Sequence, residues 1–221
     1  MTLPLLLCDL DDTLVDRDEA FRRWPESFAR KHSLPLEDTV AWLAEMDDRG
    51  CRSRTELVAS IAQRFGVWSD RALALAQYRH DLAFRVPEIS RGCRVALSQL
   101  RQAGWRIAIV TNGITSPQQS KVGVSGLAPL VDACVISESA GCCKPDAAIF
   151  QQAADACGAS FESGWMIGDN PDRDIVGGAA VGLNTIWITR GRTWTLPNVR
   201  PTIQVGSTEE GLGRLLSAPT A

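Results

Sequence analysis

Residues 3–14 read Leu-Pro-Leu-Leu-Leu-Cys-Asp-Leu-Asp-Asp-Thr-Leu, an apolar run that breaks abruptly into carboxylates. Four consecutive apolar residues after Pro4 predict a short strand buried on both faces, which is typical of parallel sheets covered by helices. Chemistry in such sheets collects just beyond the carboxyl ends of the strands, where Asp9 and Asp11 would lie. Two carboxylates held that close repel each other, so the pair predicts either a divalent metal or a shared proton. A solvated turn or a helix N-cap is the simpler alternative.

Outside one helical insert, strands and helices alternate along the chain. Between about residues 16 and 87, apolar residues recur at helical spacing and no strand-like run interrupts them. Further along, strand-like runs are separated by helical patterns, at 106–110, 133–136, 165–167, 185–188 and, weakly, 203–205. This alternation predicts an α/β protein, a Rossmann-like core with a parallel sheet flanked by helices. The core would comprise residues 1–15 and 88–221, with an inserted all-helical domain at 16–87.

Composition excludes several classes of protein. The chain has 221 residues and a net charge of −3, which argues against a nucleic-acid partner. No stretch reaches the length of a membrane span and no basic segment precedes the apolar start, so we expect a cytoplasmic protein without a membrane partner. The seven cysteines are odd in number and lack C-x-x-C spacing, which indicates reduced thiols and no zinc site.

A first group of candidate residues consists of carboxylates that follow two of the predicted strands. Asp9 and Asp11 follow the first strand and Asp169 follows the fourth. These side chains offer only oxygen ligands, which suit a hard cation such as Mg²⁺. A carboxylate in such a site can also act as a nucleophile and form an aspartyl-phosphate.

A second group consists of hydrogen-bond donors. Thr111 and the amides after it end the second strand, and Lys144 follows the third. Donors of this kind suit an anion near a helix N-terminus. A metal ion beside such donors favours phosphoryl transfer, which enzymes catalyse by positioning the reacting groups and neutralising the charge on the phosphate. The simpler alternatives are a helix N-cap for Thr111 and a solvated lysine at position 144.

Four segments resemble, in order, the motifs of the haloacid dehalogenase-like (HAD) hydrolase superfamily: Asp9-Leu10-Asp11-Asp12-Thr13-Leu14, Thr111-Asn112-Gly113, Lys144-Pro145 and Gly168-Asp169-x4-Asp174. The match spans nearly the whole chain, and the helical insert looks like the family's C1-type cap. The resemblance implies that Asp9 attacks phosphorus and that Asp11 protonates the leaving oxygen and later activates water. It also implies a set of Mg²⁺ ligands, formed by Asp9, Asp169 and the backbone carbonyl of Asp11.

The resemblance also implies which residues bind the phosphate and which residue supports the site. It implies a phosphate-binding set, formed by Thr111, the amide of Asn112, and Lys144. Asp174 would support the metal loop or the lysine, although it could simply be the N-cap of the next helix. In the insert, the turn at 47–54 carries three arginines, Arg49, Arg52 and Arg54. One hypothesis is that one of them contacts a polar or anionic part of the substrate, and the favoured alternative is a solvated, salt-bridged turn.

The sequence therefore predicts a Mg²⁺-dependent phosphatase that acts on a small phosphorylated metabolite through an aspartyl-phosphate on Asp9. The presence of Asp11 favours a phosphatase over a dehalogenase, because dehalogenation needs no acid/base carboxylate at that position. Two alternatives stay open, a phosphomutase on the same core and a non-catalytic module that binds a phosphorylated ligand. The physiological substrate and the oligomeric state do not follow from the sequence.

Overall fold

The computed structural model describes residues 3–47 and 53–217. The chain divides into two compact units, Met1–Val15 with Glu88–Ala221, and Asp16–Pro87. The first unit carries every strand of the sheet, and the second unit is helical in its described residues. That the first unit is catalytic and the second a cap stays a prediction.

A six-stranded parallel sheet forms the centre of the first unit. Its strands are β1 (Leu5–Cys8), β2 (Arg106–Thr111), β3 (Ala133–Ile136), β4 (Trp165–Gly168), β5 (Asn184–Ile188) and β6 (Ile203–Val205). The strand order is β3-β2-β1-β4-β5-β6, and each neighbouring pair is parallel. All four residues of β1 are fully buried, as expected of a central strand covered on both faces. The predicted α/β class with a parallel sheet is confirmed.

The described residues of the second unit form four helices, α1 (Arg17–Lys31), α2 (Leu36–Asp47), α3 (Arg54–Phe65) and α4 (Arg71–Ala83). They share an apolar core that includes Trp24 and Phe28. A proline at position 25 predicts a kink or a restart of the first helix, but α1 continues through it. A proline inside a helix costs about 3 kcal/mol, and burying Trp24 and Phe28 stabilises the same turn by a comparable amount, about 1.5–3 kcal/mol each. Packing therefore keeps the helix in one piece.

Helices cover the sheet of the first unit: α5 (Arg91–Gln102), α6 (Thr115–Val124), α7 (Ser137–Ala140), α8 (Ala147–Ala156), α9 (Gly177–Ala180) and α10 (Thr208–Ser217). Ile149, Phe150 and Ala153 of α8 pack on Leu5 and Leu7 of β1. In the described ranges, no helix combines the length and the apolar character that crossing a membrane requires.

The helical pattern after the fourth strand predicts one helix near 174–181, and the structure differs from this prediction. Pro171–Val176 forms a wide, π-helical turn, and α9 follows it directly. The side chain of Asn170 caps this turn by accepting from the Arg173 N–H at 2.9 Å. Single π-helical turns are rare and occur frequently at functional sites. Here the turn carries Asp174 into the interior, where its side chain is fully buried.

Candidate active site

The order of the strands brings the first candidate residues together. Strand β1 lies between β2 and β4, and parallel strands end at the same edge of the sheet. Asp9 follows β1, Thr111 is the last residue of β2, and Asp169 follows β4. The backbone N–H of Asp9 donates to the carbonyl of Ile167 at 2.9 Å, so Asp9 continues the pairing of β1 with β4. Asp9 and Thr111 are buried, 7% and 1% exposed.

Both carboxylate oxygens of Asp9 are held by side-chain donors. Lys144 Nζ donates to Oδ1 at 2.6 Å, and Thr13 Oγ1 donates to Oδ2 at 3.1 Å. Thr13 can reach back because residues 10–14 form a tight turn, closed by a bond from the Leu14 N–H to the Leu10 carbonyl at 2.9 Å. The Asp9 carboxylate is therefore fixed in orientation, as a nucleophile must be.

Lys144 reaches Asp9 from the loop between α7 and α8. The side chain of Asn112 fixes this loop, since its Oδ1 accepts from the Lys144 N–H at 2.9 Å and its Nδ2 donates to the Lys144 carbonyl at 3.0 Å. The lysine is buried, 3% exposed, and is not the solvated side chain of the simpler alternative. The sequence assigned Asn112 a role through its backbone amide only, so this side-chain contact was not predicted.

Asp174 lies on the other side of the same amine. Lys144 Nζ is 2.7 Å from Asp174 Oδ1, and Asp174 Oδ2 accepts from the Asn170 N–H at 2.9 Å. Asp174 is therefore not the N-cap of a helix, since Asn170 holds that position. Gly168 makes room for this arrangement, because a Cβ there would overlap with the Asp174 carboxylate.

Three carboxylates form a cluster that could hold a metal ion. Oxygens of Asp9, Asp169 and Asp174 all lie within 4.8 Å of one another. Burial raises the pKa of Asp9 to about 8, although Lys144 lowers it, and burial together with Asp174 raises the pKa of Asp169 to about 6. Burial lowers the pKa of Lys144, but Asp174 and Asp9 more than offset this effect and raise it to about 12. The positive charge of Lys144 thus offsets only part of the negative charge of the three carboxylates. A group of ligands that are all oxygens and carry a net negative charge fits a hard divalent cation.

The side chain of Asp11 takes a different direction from that of Asp9. Lys121 Nζ of α6 lies 2.6 and 2.7 Å from the two carboxylate oxygens of Asp11. Gln118 Nε2, also on α6, donates to Asp11 Oδ2 at 3.1 Å and to Thr111 Oγ1 at 2.7 Å. The carboxylate of Asp11 is not part of the acidic cluster found among the described residues. Its predicted contact to a metal runs through the backbone carbonyl and stays a prediction.

Sequence reasoning missed four side chains at this edge of the sheet: Thr13, Gln118, Lys121 and Arg192. Arg192 lies in the loop after β5 and donates to Asp169, with Nη2 2.9 Å from Oδ2 and 2.7 Å from the backbone carbonyl. The sequence carried only a weak signal for these residues. Gln118 and Lys121 are three residues apart on the helix after Thr111, and Arg192 comes shortly after the end of a strand. Of the three arginines among which one was a candidate for substrate contact, Arg49 and Arg52 lie outside the described residues. Arg54 pairs with Asp47 at 2.8 Å.

Comparison with known proteins identifies relatives of similar length. Residues 3–182 match the family model of the haloacid dehalogenase-like hydrolases. The phosphoserine phosphatase of Thermus thermophilus is 29% identical, covering 94% of this chain and 97% of that protein. The pyrimidine 5′-nucleotidase PynA of Streptococcus pneumoniae is 30% identical, covering 95% and 94%. The crystal structure of the HAD-hydrolase YfnB of Bacillus subtilis, described as bound to magnesium, has a TM-score of 0.80 at 27% identity, covering 99% and 100%.

Proposed function

This chain belongs to the haloacid dehalogenase-like hydrolase family, and from that membership we propose that it hydrolyses a small phosphomonoester through a phosphoenzyme formed on Asp9. The observation that carries the proposal is the environment of Asp9. Its carboxylate is buried, held by Lys144 and Thr13, and lies in an acidic cluster at the carboxyl edge of the sheet. A binding module would not need a carboxylate oriented on both oxygens.

In the first step, an oxygen of Asp9 attacks phosphorus and the bond from phosphorus to the leaving oxygen breaks. Asp11 gives a proton to that oxygen, so the product leaves as an alcohol. In the second step, Asp11 takes a proton from water as the water attacks the phosphorus of the phosphoenzyme. Phosphate then leaves and the Asp9 carboxylate is restored.

The phosphoryl oxygens need donors while charge spreads over them. Thr111 and the backbone amide of Asn112 are the proposed hydrogen-bond donors, and Lys144 supplies a fixed positive charge next to the nucleophile. These groups are set before the substrate arrives, because Asn112 fixes the Lys144 loop and Lys144 is bonded to Asp9. Such preorganisation is often the largest single contribution to catalysis.

The residues present fit a Mg²⁺ cofactor. Asp9, Asp169 and the backbone carbonyl of Asp11 are the proposed ligands, and Asp174 supports the loop and holds Lys144. When bound, the ion supplies positive charge to the nucleophile and to the phosphate oxygens. Burial raises the pKa values of Asp9 and Asp169, and a bound cation would favour their ionised forms, which supports this proposal.

The proposed substrate class is a small phosphorylated metabolite. The names of the relatives point to different members of that class, phosphoserine in one case and pyrimidine nucleotides in the other. The test is a panel of O-phosphoserine, pyrimidine nucleoside monophosphates, sugar phosphates and p-nitrophenyl phosphate, with inorganic phosphate as the readout. We expect release with Mg²⁺, loss with EDTA and recovery when Mg²⁺ is restored.

Two other results would contradict the proposal. If the phosphoryl group were retained and returned to another position of the substrate without phosphate release, the protein would be a phosphomutase. If phosphorylated ligands bound with no turnover, it would be a binding module. Measuring ligand binding by calorimetry alongside phosphate release separates these cases.

A further inference from the structure

Helix α6 presents two buried polar side chains to Asp11. Gln118 and Lys121 are only 3% and 8% exposed and lie three residues apart, which places them on the same face of the helix. The chain contains three lysines, and two of them are buried against aspartates of the first motif, Lys121 against Asp11 and Lys144 against Asp9. Burying an amine is costly unless it is paired, so each of these lysines has a specific partner.

Lys121 and Gln118 both donate to the Asp11 carboxylate. Lys121 Nζ approaches both oxygens, at 2.6 and 2.7 Å, and Gln118 Nε2 approaches Oδ2 at 3.1 Å. A carboxylate held by only one donor can turn about its side-chain torsions, whereas one held on both oxygens has a single orientation. Charge-assisted bonds of this length are the strong class of hydrogen bond.

Gln118 also ties Asp11 to Thr111. Its Nε2 donates to Thr111 Oγ1 at 2.7 Å as well as to Asp11. The Gln118 side chain lies next to Gly113, where an added Cβ would be only 3.0 Å from Gln118 Cγ. A phosphate-binding side chain and the proposed acid/base carboxylate therefore share one donor group.

We propose that Lys121 and Gln118 are positioning residues that set the orientation of Asp11 for proton transfer to the leaving oxygen. The proposal rests on the proposed function, because it assigns Asp11 a proton-transfer role. Small misplacements of a catalytic group can cost about 100-fold in rate. Loss of the positioning contacts should therefore lower the rate of phosphoryl transfer when the leaving oxygen needs a proton from Asp11. The rate should stay nearly unchanged when the leaving group needs no proton.

The experiment compares two leaving groups. An alkyl phosphate, such as O-phosphoserine, needs a proton on the departing oxygen, whereas p-nitrophenyl phosphate releases a stable anion. Because kcat/KM reports the steps up to the first irreversible one, it isolates phosphoryl transfer to Asp9 from the later hydrolysis. For Lys121→Met we expect kcat/KM to fall about 10- to 100-fold on the alkyl phosphate and less than roughly 3-fold on p-nitrophenyl phosphate.

Two variants keep the test specific. Lys121→Arg retains a cation that can bond both oxygens of Asp11 and should recover most of the loss on the alkyl phosphate. Gln118→Leu should show the same selectivity with a smaller loss, since it removes a neutral donor and leaves the charged contact from Lys121 in place. Folding of Lys121→Met is expected, because the Asp11 side chain is 30% exposed and water can solvate it; thermal unfolding checks this.

Lys31→Met and Gln102→Leu are the matched controls, since both side chains are exposed, and they should match the wild type on both substrates. An equal fall on both substrates in Lys121→Met would overturn the inference, because it would indicate direct substrate binding or a purely structural role. Wild-type rates on both substrates would overturn it as well. If the wild type released phosphate from neither substrate, the proposed function would fail and the inference with it.

Discussion

The amine of Lys144 lies 2.6 Å from Oδ1 of Asp9, a residue 135 positions earlier in the chain. The same amine lies 2.7 Å from Asp174 Oδ1. One buried cation thus joins the segments that follow β1, β3 and β4, and the proposed chemistry depends on this junction.

Replacing Lys144 by methionine removes this cation and leaves two buried carboxylates facing each other. Breaking a buried ion pair typically costs about 3–5 kcal/mol of stability, and removing one preorganised charge from a phosphoryl-transfer site costs about 100- to 1,000-fold in kcat. Urea unfolding and phosphate release on the best panel substrate measure the two effects. Lys31→Met, an exposed lysine, should change neither quantity. A Lys144→Met variant with wild-type turnover would exclude Lys144 from the mechanism.

Asp9→Asn should abolish turnover while the protein stays folded. Asparagine has nearly the same shape as aspartate: its amide oxygen can accept from Lys144 and its amide N–H can donate to the Thr13 hydroxyl, but the amide is not a nucleophile. Phosphate release and thermal unfolding check the two parts of the prediction. Asp70→Asn is the control, because Asp70 is the exposed N-cap of α4 and asparagine caps a helix equally well.

Metal-free protein should lose stability as the pH rises from 3.8 to about 8. Burial raises the pKa of Asp169 from 3.8 to about 6 and that of Asp9 from 3.8 to about 8. The folded state therefore binds more protons than the unfolded state across this window, and each deprotonation lowers the free energy of unfolding. Bound Mg²⁺ favours the ionised carboxylates, so the stabilisation that it provides should grow with pH.

Urea unfolding in EDTA and in Mg²⁺ at several pH values across that window measures this linkage. Asp9→Asn serves as the control, since it lacks the more strongly shifted of the two groups and should show a flatter pH dependence in EDTA. Parallel curves in EDTA and Mg²⁺ would contradict a metal site at these carboxylates.

Gly168→Ala should reduce both activity and stability. The added methyl group would overlap with the Asp174 carboxylate and push it away from Lys144. Forcing a group into a packed interior typically costs about 1–3 kcal/mol. Gly213→Ala makes the same substitution in α10, where nothing lies within 4 Å, and should stabilise the protein by up to about 1 kcal/mol. If both variants shifted stability in the same direction, the proposed contact at Gly168 would be wrong.

Much of the fold could be predicted because its signals are local. The apolar run of β1 and the runs that became β2 to β5 are short and separated by helical periods, and all except the edge strand β3 are mostly buried. Helix ends are less accurate: the sequence pattern predicts a short helix at about 117–122, whereas α6 runs from Thr115 to Val124. The π-helical turn at Pro171–Val176 was missed because it depends on the burial of Asp174, a contact with no local pattern.

Some residues of the candidate site could likewise be predicted from the sequence, and other contacts could not. Asp9, Thr111 and Asp169 could be located from the sequence because each comes at the end of a strand, where parallel topology brings side chains together. The contacts of Thr13, Gln118 and Lys121 could not, since they depend on how a turn and a helix face the strand ends. Lys121 contacts Asp11 across 110 positions of sequence, and no spacing rule connects two such residues.

The Asp11→Asn variant with p-nitrophenyl phosphate would reveal a phosphoenzyme on Asp9. The leaving group of this substrate needs no acid, whereas the hydrolysis of the phosphoenzyme needs Asp11 as a base, so the intermediate should accumulate. We expect a rapid burst of one p-nitrophenol per active site, and an acid-quenched enzyme whose phosphoryl group maps to the peptide containing Asp9. Steady phosphate release without a burst, from an enzyme that carries no phosphoryl group on Asp9, would contradict it.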